Sequence, residues 1–124
     1  MAKEYESSKP IYRQIAEQIF QAIIRGEILP GEKLPSVREM AVLKGVNPNT
    51  IQRTYIEMER MGIVETKRGQ GTFIVDKEEI RSQLRTNIKK EIVGEFVFRM
   101  KELGFTKEEM IECIQSYILE GEVK

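Results

Sequence analysis

The chain has 124 residues, 20 basic and 20 acidic side chains, no histidine and 40% apolar residues. That length holds one domain, or one small domain with an appendage, and that apolar content is enough for a core. Zero net charge excludes a global basic field. With no histidine and one cysteine there is no Cys/His metal cluster and no recognisable nucleophile–base pair, so neither an enzyme nor a cofactor is expected.

Cys113 stands alone, so an intrachain disulfide is excluded; it lies in an apolar run and reads as an inert buried thiol. No apolar run approaches the ~18 residues of a membrane span. The N-terminus, Met-Ala-Lys-Glu-Tyr-Glu, lacks the apolar segment of a secretory signal. A soluble cytoplasmic protein with no membrane partner is expected.

Residues 1–9 are polar and read as a loose arm. Pro10 opens a helix to about Arg25, with Ile11, Ile15, Ile19, Ala22 and Ile23 on one face. Tyr12, Arg13 and Gln14 lie near its start, where a solvated first turn is the simplest reading. Gly26–Pro35 carries two prolines and excludes a helix; Ile28, Leu29 and Leu34 are expected to plug the core, with Leu34 in a very short strand.

Ser36 and Glu39 have capping-box spacing, and the helix that follows should bury Val37, Met40 and Ala41 before stopping at Gly45. Asn47 caps the next helix and Pro48 suits its first position, where no N–H is needed. Ile51, Tyr55 and Met58 form the core face of that helix; Asn49, Gln52 and Arg53 lie on the other side. A short helix, a glycine turn and a second helix match a helix-turn-helix. The N-terminal part of its second helix, here Asn47, Asn49, Thr50, Gln52 and Arg53, meets base edges in the major groove.

After Gly62 the period changes. Two β-branched runs flank Lys67-Arg68-Gly69-Gln70-Gly71, followed by Thr72, and read as a hairpin with a basic tip. Such a hairpin after a helix-turn-helix is a wing, whose glycines let the backbone approach DNA. Ser36–Arg53 and Lys67–Thr72 together hold five basic residues against one acidic, so positive charge collects where DNA would lie.

Residues 76–124 read as two helices. Asp76 with Glu79 should cap the first, which runs to Leu103 with the stripe Ile80, Leu84, Ile88, Ile92, Phe96, Met100 and Leu103 and with Gly94 inside it. Thr106 and Glu109 form a second capping box, and Met110, Ile111, Ile114, Tyr117 and Ile118 face one way on the last helix. Two helices cannot enclose their own apolar faces. Either the hairpin folds back on the winged helix or, the reading adopted, Leu84, Ile88, Ile92, Phe96, Met100, Ile114, Tyr117 and Ile118 form a homodimer interface.

Three segments carry a family resemblance: Leu34-Pro35-Ser36-Val37-Arg38-Glu39-Met40-Ala41, Val46-Asn47-Pro48-Asn49-Thr50-Ile51 and Arg68-Gly69-Gln70-Gly71-Thr72-Phe73-Ile74-Val75. In order and spacing they resemble the winged helix-turn-helix of the GntR family of bacterial transcription regulators. The resemblance implies that Arg38 meets the DNA backbone or a groove edge and that Gly69 approaches the minor groove. Gln52 and Pro48 stand where many members carry arginine. The short two-helix tail resembles the YtrA branch, whose tail serves dimerisation and whose members act as repressors.

The expected fold is mostly α with a small β-hairpin: a winged helix-turn-helix over 1–75 and a two-helix dimerisation tail over 76–124. The expected function is sequence-specific binding of double-stranded DNA, as a repressor, by a homodimer on an inverted repeat. The competing reading is a winged-helix module that binds protein and no DNA. Nothing in the sequence marks an effector ligand.

Overall fold

A computed structural model describes residues 9–123; the arm read over residues 1–9 lies almost wholly outside them. Five helices and one hairpin follow in order: α1 Ile11–Ile24, α2 Val37–Lys44, α3 Pro48–Arg60, β1 Val64–Lys67, β2 Gly71–Ile74, α4 Glu79–Glu102 and α5 Lys107–Val123. No described helix is long and apolar enough to cross a membrane.

Local chemistry sets the helix boundaries. The Ser36 hydroxyl accepts from the Glu39 N–H at 3.1 Å, and the Glu39 carboxylate accepts from the Ser36 N–H at 2.9 Å. Two N–H groups that the first turn leaves without helical partners are thereby satisfied. Gly45 closes α2 at φ 68, the left-handed conformation that costs a Cβ-bearing residue energy. Two residues later the Asn47 side chain accepts from the Asn49 N–H at 2.8 Å and starts α3 with Pro48 in its first turn.

The chain divides into two compact units, the first ending at Arg85 and the second beginning at Thr86, inside α4. In the first unit α1 and α2 both pack against α3, and α3 packs against β1. Its core takes Ile15, Ile19, Phe20 and Ile23 from α1, Met40 and Ala41 from α2, and Ile51, Tyr55 and Met58 from α3. Leu34, Ile63, Val64 and Ile74 complete it. Thr54, also fully buried, bonds to the Thr50 and Tyr12 carbonyls at 2.8 and 3.2 Å, so its hydroxyl is satisfied.

The hairpin is antiparallel, with Val64 opposite Ile74 and Lys67 opposite Gly71. Residues 31–34 run beside β2: Gly31 donates to the Ile74 carbonyl, Ile74 to that of Glu32, and Leu34 to that of Thr72. The short strand expected at Leu34 is a single bridge between Lys33 and Phe73.

Several sequence expectations need correcting. Leu29 is 57% exposed because its turn projects outward, and Ile28 is only half-buried. Ile11, in the first turn of α1, is exposed, while Ala16 and Phe20 are buried in its place. Val37 is half-buried. Asp76 caps nothing: the chain turns through Lys77 first, and Glu79 is itself the first residue of α4. Cys113 is exposed.

Leu84, expected at the dimer interface, is instead buried in its own chain. It is 3% exposed within the single chain, as Ile80 is at 5%, because the first two turns of α4 belong to the first unit. Arg81 anchors them by donating from Nε to the Ile24 carbonyl at the end of α1, at 2.7 Å. Leu84 therefore has no surface left for a partner.

In the second unit, the Thr106 hydroxyl accepts from the Glu109 N–H at 3.1 Å and the Glu109 carboxylate accepts in return at 2.8 Å, so the expected capping box starts α5. Met110 is buried. Val93, Phe96, Val97, Phe105 and Ile114 line a groove of about 360 Å³ between the helices, with Lys101 and Lys107 beside it. A Cβ at Gly94 would meet nothing within 4 Å.

Candidate nucleic-acid interface

Helix α3 is two-sided. Ile51, Thr54, Tyr55 and Met58 point into the core, and Asn49, Gln52 and Arg53 are exposed. The Tyr55 hydroxyl pins the inner side by donating to the Pro35 carbonyl at 2.7 Å. Burial, with the Glu39 charge second, raises its pKa, so the phenol stays neutral and remains a donor.

The candidate side chains on α2 and α3 fall into two groups. Some are already engaged. Ser36 and Asn47 cap helices, and Thr50, half-buried, lends its backbone carbonyl to Thr54. The Asn47 carbonyl oxygen is held by its cap, which leaves only the amide donors for a ligand. Others are uncommitted. Arg38, Asn49 and Gln52 are exposed, and their side chains make no hydrogen bond or ion pair with any described residue.

Arg53 is neither. Its guanidinium lies 4.0 Å from the centre of the Tyr12 ring. Tyr12 is held from the other side, since its carbonyl accepts from buried Thr54. A cation over a tyrosine face is attracted by the ring quadrupole, so Arg53 is pre-positioned at the edge of the polar face. The sequence places Tyr12 in the first turn of α1 without signalling this contact. The two lie 41 positions apart, and no local pattern signals the contact.

The wing divides similarly. Lys67 lies 4.7 Å from the Phe73 ring centre and 3.8 Å from Glu65, so much of its charge is spent locally. Arg68 and Gln70 are exposed at the tip, and the Arg68 guanidinium has no ion-pair partner among the described residues. Gly69 sits between them at φ 77 with nothing within 4 Å of where a Cβ would be. The tip therefore offers bare backbone and a free cation to an approaching surface. Thr72, half-buried on β2, sits opposite Thr66. The Thr66 N–H donates to Glu59 of α3 at 3.1 Å and ties the hairpin to that helix.

Electrostatics complete the site. Hydrogen bonds from the Ser36 backbone and hydroxyl hold the Glu39 carboxyl below its ordinary pKa, with Lys33 adding a smaller attraction. That keeps beside Arg38 a carboxylate whose hydrogen-bonding capacity is directed at its own cap. No described group of three or more Cys, Asp or Glu residues is placed to hold a metal ion.

Residues 11–74 match the family model described as bacterial regulatory proteins, gntR family. The chain is 62% identical over 117 residues to the HTH-type transcriptional regulator YhcF of Bacillus subtilis, covering 94% of this chain and 97% of that protein. It is 53% identical over 68 residues to the HTH-type transcriptional repressor YtrA of the same organism, over 55% of this chain and 52% of that one. A GntR family regulator from Listeria monocytogenes shares the fold at TM-score 0.80 and 39% identity, over 90% of this chain and 98% of that one. The DNA-binding domain of AraR, solved with operator ORX1, matches 60% of this chain and 93% of that one at TM-score 0.53 and 30% identity. The winged helix-turn-helix with its two-helix tail is the fold of a DNA-binding transcription regulator, and the chain belongs to the YtrA-like branch of the GntR family.

Proposed function

We propose that this regulator is a repressor that binds an inverted-repeat operator as a homodimer. The observation that carries the proposal is the split of α3 into a buried face and an uncommitted polar one. Asn49 and Gln52 offer amides suited to adenine, and Arg53 offers a fork suited to guanine. Asn47 and Thr50 add contacts at the helix start. Arg38, Lys67 and Arg68 lie on phosphates, with Arg38 and Arg68 stronger than Lys67, whose charge is shared with Glu65 and the Phe73 ring. Gly69, Gln70 and Thr72 bring the wing backbone to the minor groove. Ser36 contributes through the cap that orients α2.

Dimerisation rests on Ile88, Ile92, Phe96 and Met100 of α4 and on Ile114, Tyr117 and Ile118 of α5. Tyr117 is 78% exposed and Ile92 63% exposed in the lone chain, an apolar surface of the kind that marks an interface. The repressor assignment follows YtrA, itself a transcriptional repressor.

Selection of bound sequences from random duplex DNA tests the proposal. An enriched inverted repeat is expected. On it, Arg38→Ala and Arg68→Ala should each lower the slope of log K against log salt by about one. No enrichment, or an enriched site without two-fold symmetry, would overturn it.

A further inference from the structure

Past the proline of its first turn, the polar face of α3 contains one apolar side chain. Ile56 is 57% exposed, while its neighbours Tyr55 and Met58 turn inward. Asn49, Gln52, Arg53 and Ile56 stand at i, i+3, i+4 and i+7, a single stripe on a helix of 3.6 residues per turn. The stripe extends about 10 Å along the axis, roughly the rise of three base pairs. The same spacing is used by recognition helices that lie in the major groove.

A solitary exposed aliphatic is ordinary on a protein surface. This one differs in position and type. A solvated mid-helix site favours lysine, glutamate or glutamine, whereas a β-branched side chain loses rotamer freedom against the preceding turn. Around it, at one turn's distance, stand only polar or charged residues: Gln52, Arg53, Glu59 and Arg60. Isoleucine neither donates nor accepts, so it can read DNA only by apolar contact. The thymine C5-methyl is the apolar group displayed on the floor of the major groove.

We infer that Ile56 is a specificity-determining residue that packs on a thymine methyl in each half-site, one step along the groove from the bases met by Gln52 and Arg53. The inference rests on the operator-binding reading above and adds a base preference to it. Neither the amide nor the guanidinium contacts supply that preference.

The test uses the intact protein and its selected operator, with each thymine replaced in turn by deoxyuridine, which removes the methyl and nothing else. At one thymine per half-site the replacement should weaken binding about fourfold, the value of one buried methyl-sized group. Ile56→Ala should weaken binding to the unmodified operator by at least as much and should be indifferent to deoxyuridine at that position. Ile56→Val should remain sensitive. Both variants change an exposed residue, and helical circular dichroism checks that they fold. If no thymine responds, or if Ile56→Ala keeps the wild-type response, the inference fails while the operator-binding reading stands. If selection yields no preferred sequence, both fail.

Discussion

In the unit that ends at Arg85, Ile15, Ile51, Met58 and Ile74 are each 0% exposed. In the unit that begins at Thr86, Met110 alone among the described residues is buried, and Ile92, Phe98, Tyr117 and Leu119 all stand largely open. Both regions carry apolar residues at helical spacing. Three helices and a hairpin can close around a core, whereas two helices leave one side of each uncovered. Periodicity therefore reports which face is apolar, and the number of elements available decides whether the same chain can cover it. The first unit closes its own core; the second leaves most of its apolar side chains open.

The largest expected effect comes from placing a charge where the second unit is open. Ile118 is 52% exposed, so Ile118→Asp costs the lone chain little. In a dimer it would bury an unpaired carboxylate. Sedimentation should show a monomer, and affinity for the inverted repeat should fall by about 100-fold or more as tethering is lost. Unchanged sedimentation would remove this surface from the interface.

Met58→Ala makes the converse test. It leaves a cavity in the closed core and should cost about 2–5 kcal/mol in urea unfolding. The fraction that remains folded should sediment as the wild type does. Loss of dimerisation without loss of stability would reverse the assignment of the two regions.

Within the first unit, Asn49→Ala or Gln52→Ala should weaken the selected operator by about 1–3 kcal/mol where the side chain meets a base. Binding to unrelated DNA should barely change; an equal loss on every sequence would make these backbone contacts instead. Tyr12→Ala should weaken operator binding by about 0.5–1 kcal/mol by releasing Arg53. Tyr12→Phe, which keeps the ring, should restore most of it, and failure to do so would discount the stacking.

The smallest effect is a pH dependence. Because the Glu39 pKa is lowered in the folded chain, its contribution is present above the ordinary value of 4.5 and is lost as pH falls through the folded value. Urea unfolding of wild type and Glu39→Gln should therefore differ at pH 7 and converge in acid. A gap that persists in acid would assign the difference to something other than the carboxylate.

The parts of this fold that were legible in sequence are those held by neighbours in sequence. Ser36 with Glu39, Gly45, and Asn47 with Pro48 each act within a few residues, and each acts as read; Gly69 and Gly71 take the positive φ of the hairpin turn. The misreadings share the opposite property. Leu84 and Ile88 continue one stripe without interruption, yet the boundary at Arg85 falls between them because Arg81 bonds to a carbonyl 57 positions earlier. Asp76 and Glu79 have capping spacing, but the chain leaves β2 through a further turn before it becomes helical. Cys113 and Leu29 lie in apolar surroundings by sequence and on the surface in space. The candidate reading face was legible through Asn49, Gln52 and Arg53, whose residue types announce themselves. Ile56, apolar on the same face, does not.

The central claim is that the open tail joins two closed reading heads. It is tested most directly by titrating the intact chain against duplexes carrying the selected half-site once or as an inverted repeat. At chain concentrations where the dimer is formed, the repeat should bind about 100-fold or more tighter than the single half-site, since the second encounter is intramolecular. Equal affinity for the two duplexes would contradict it.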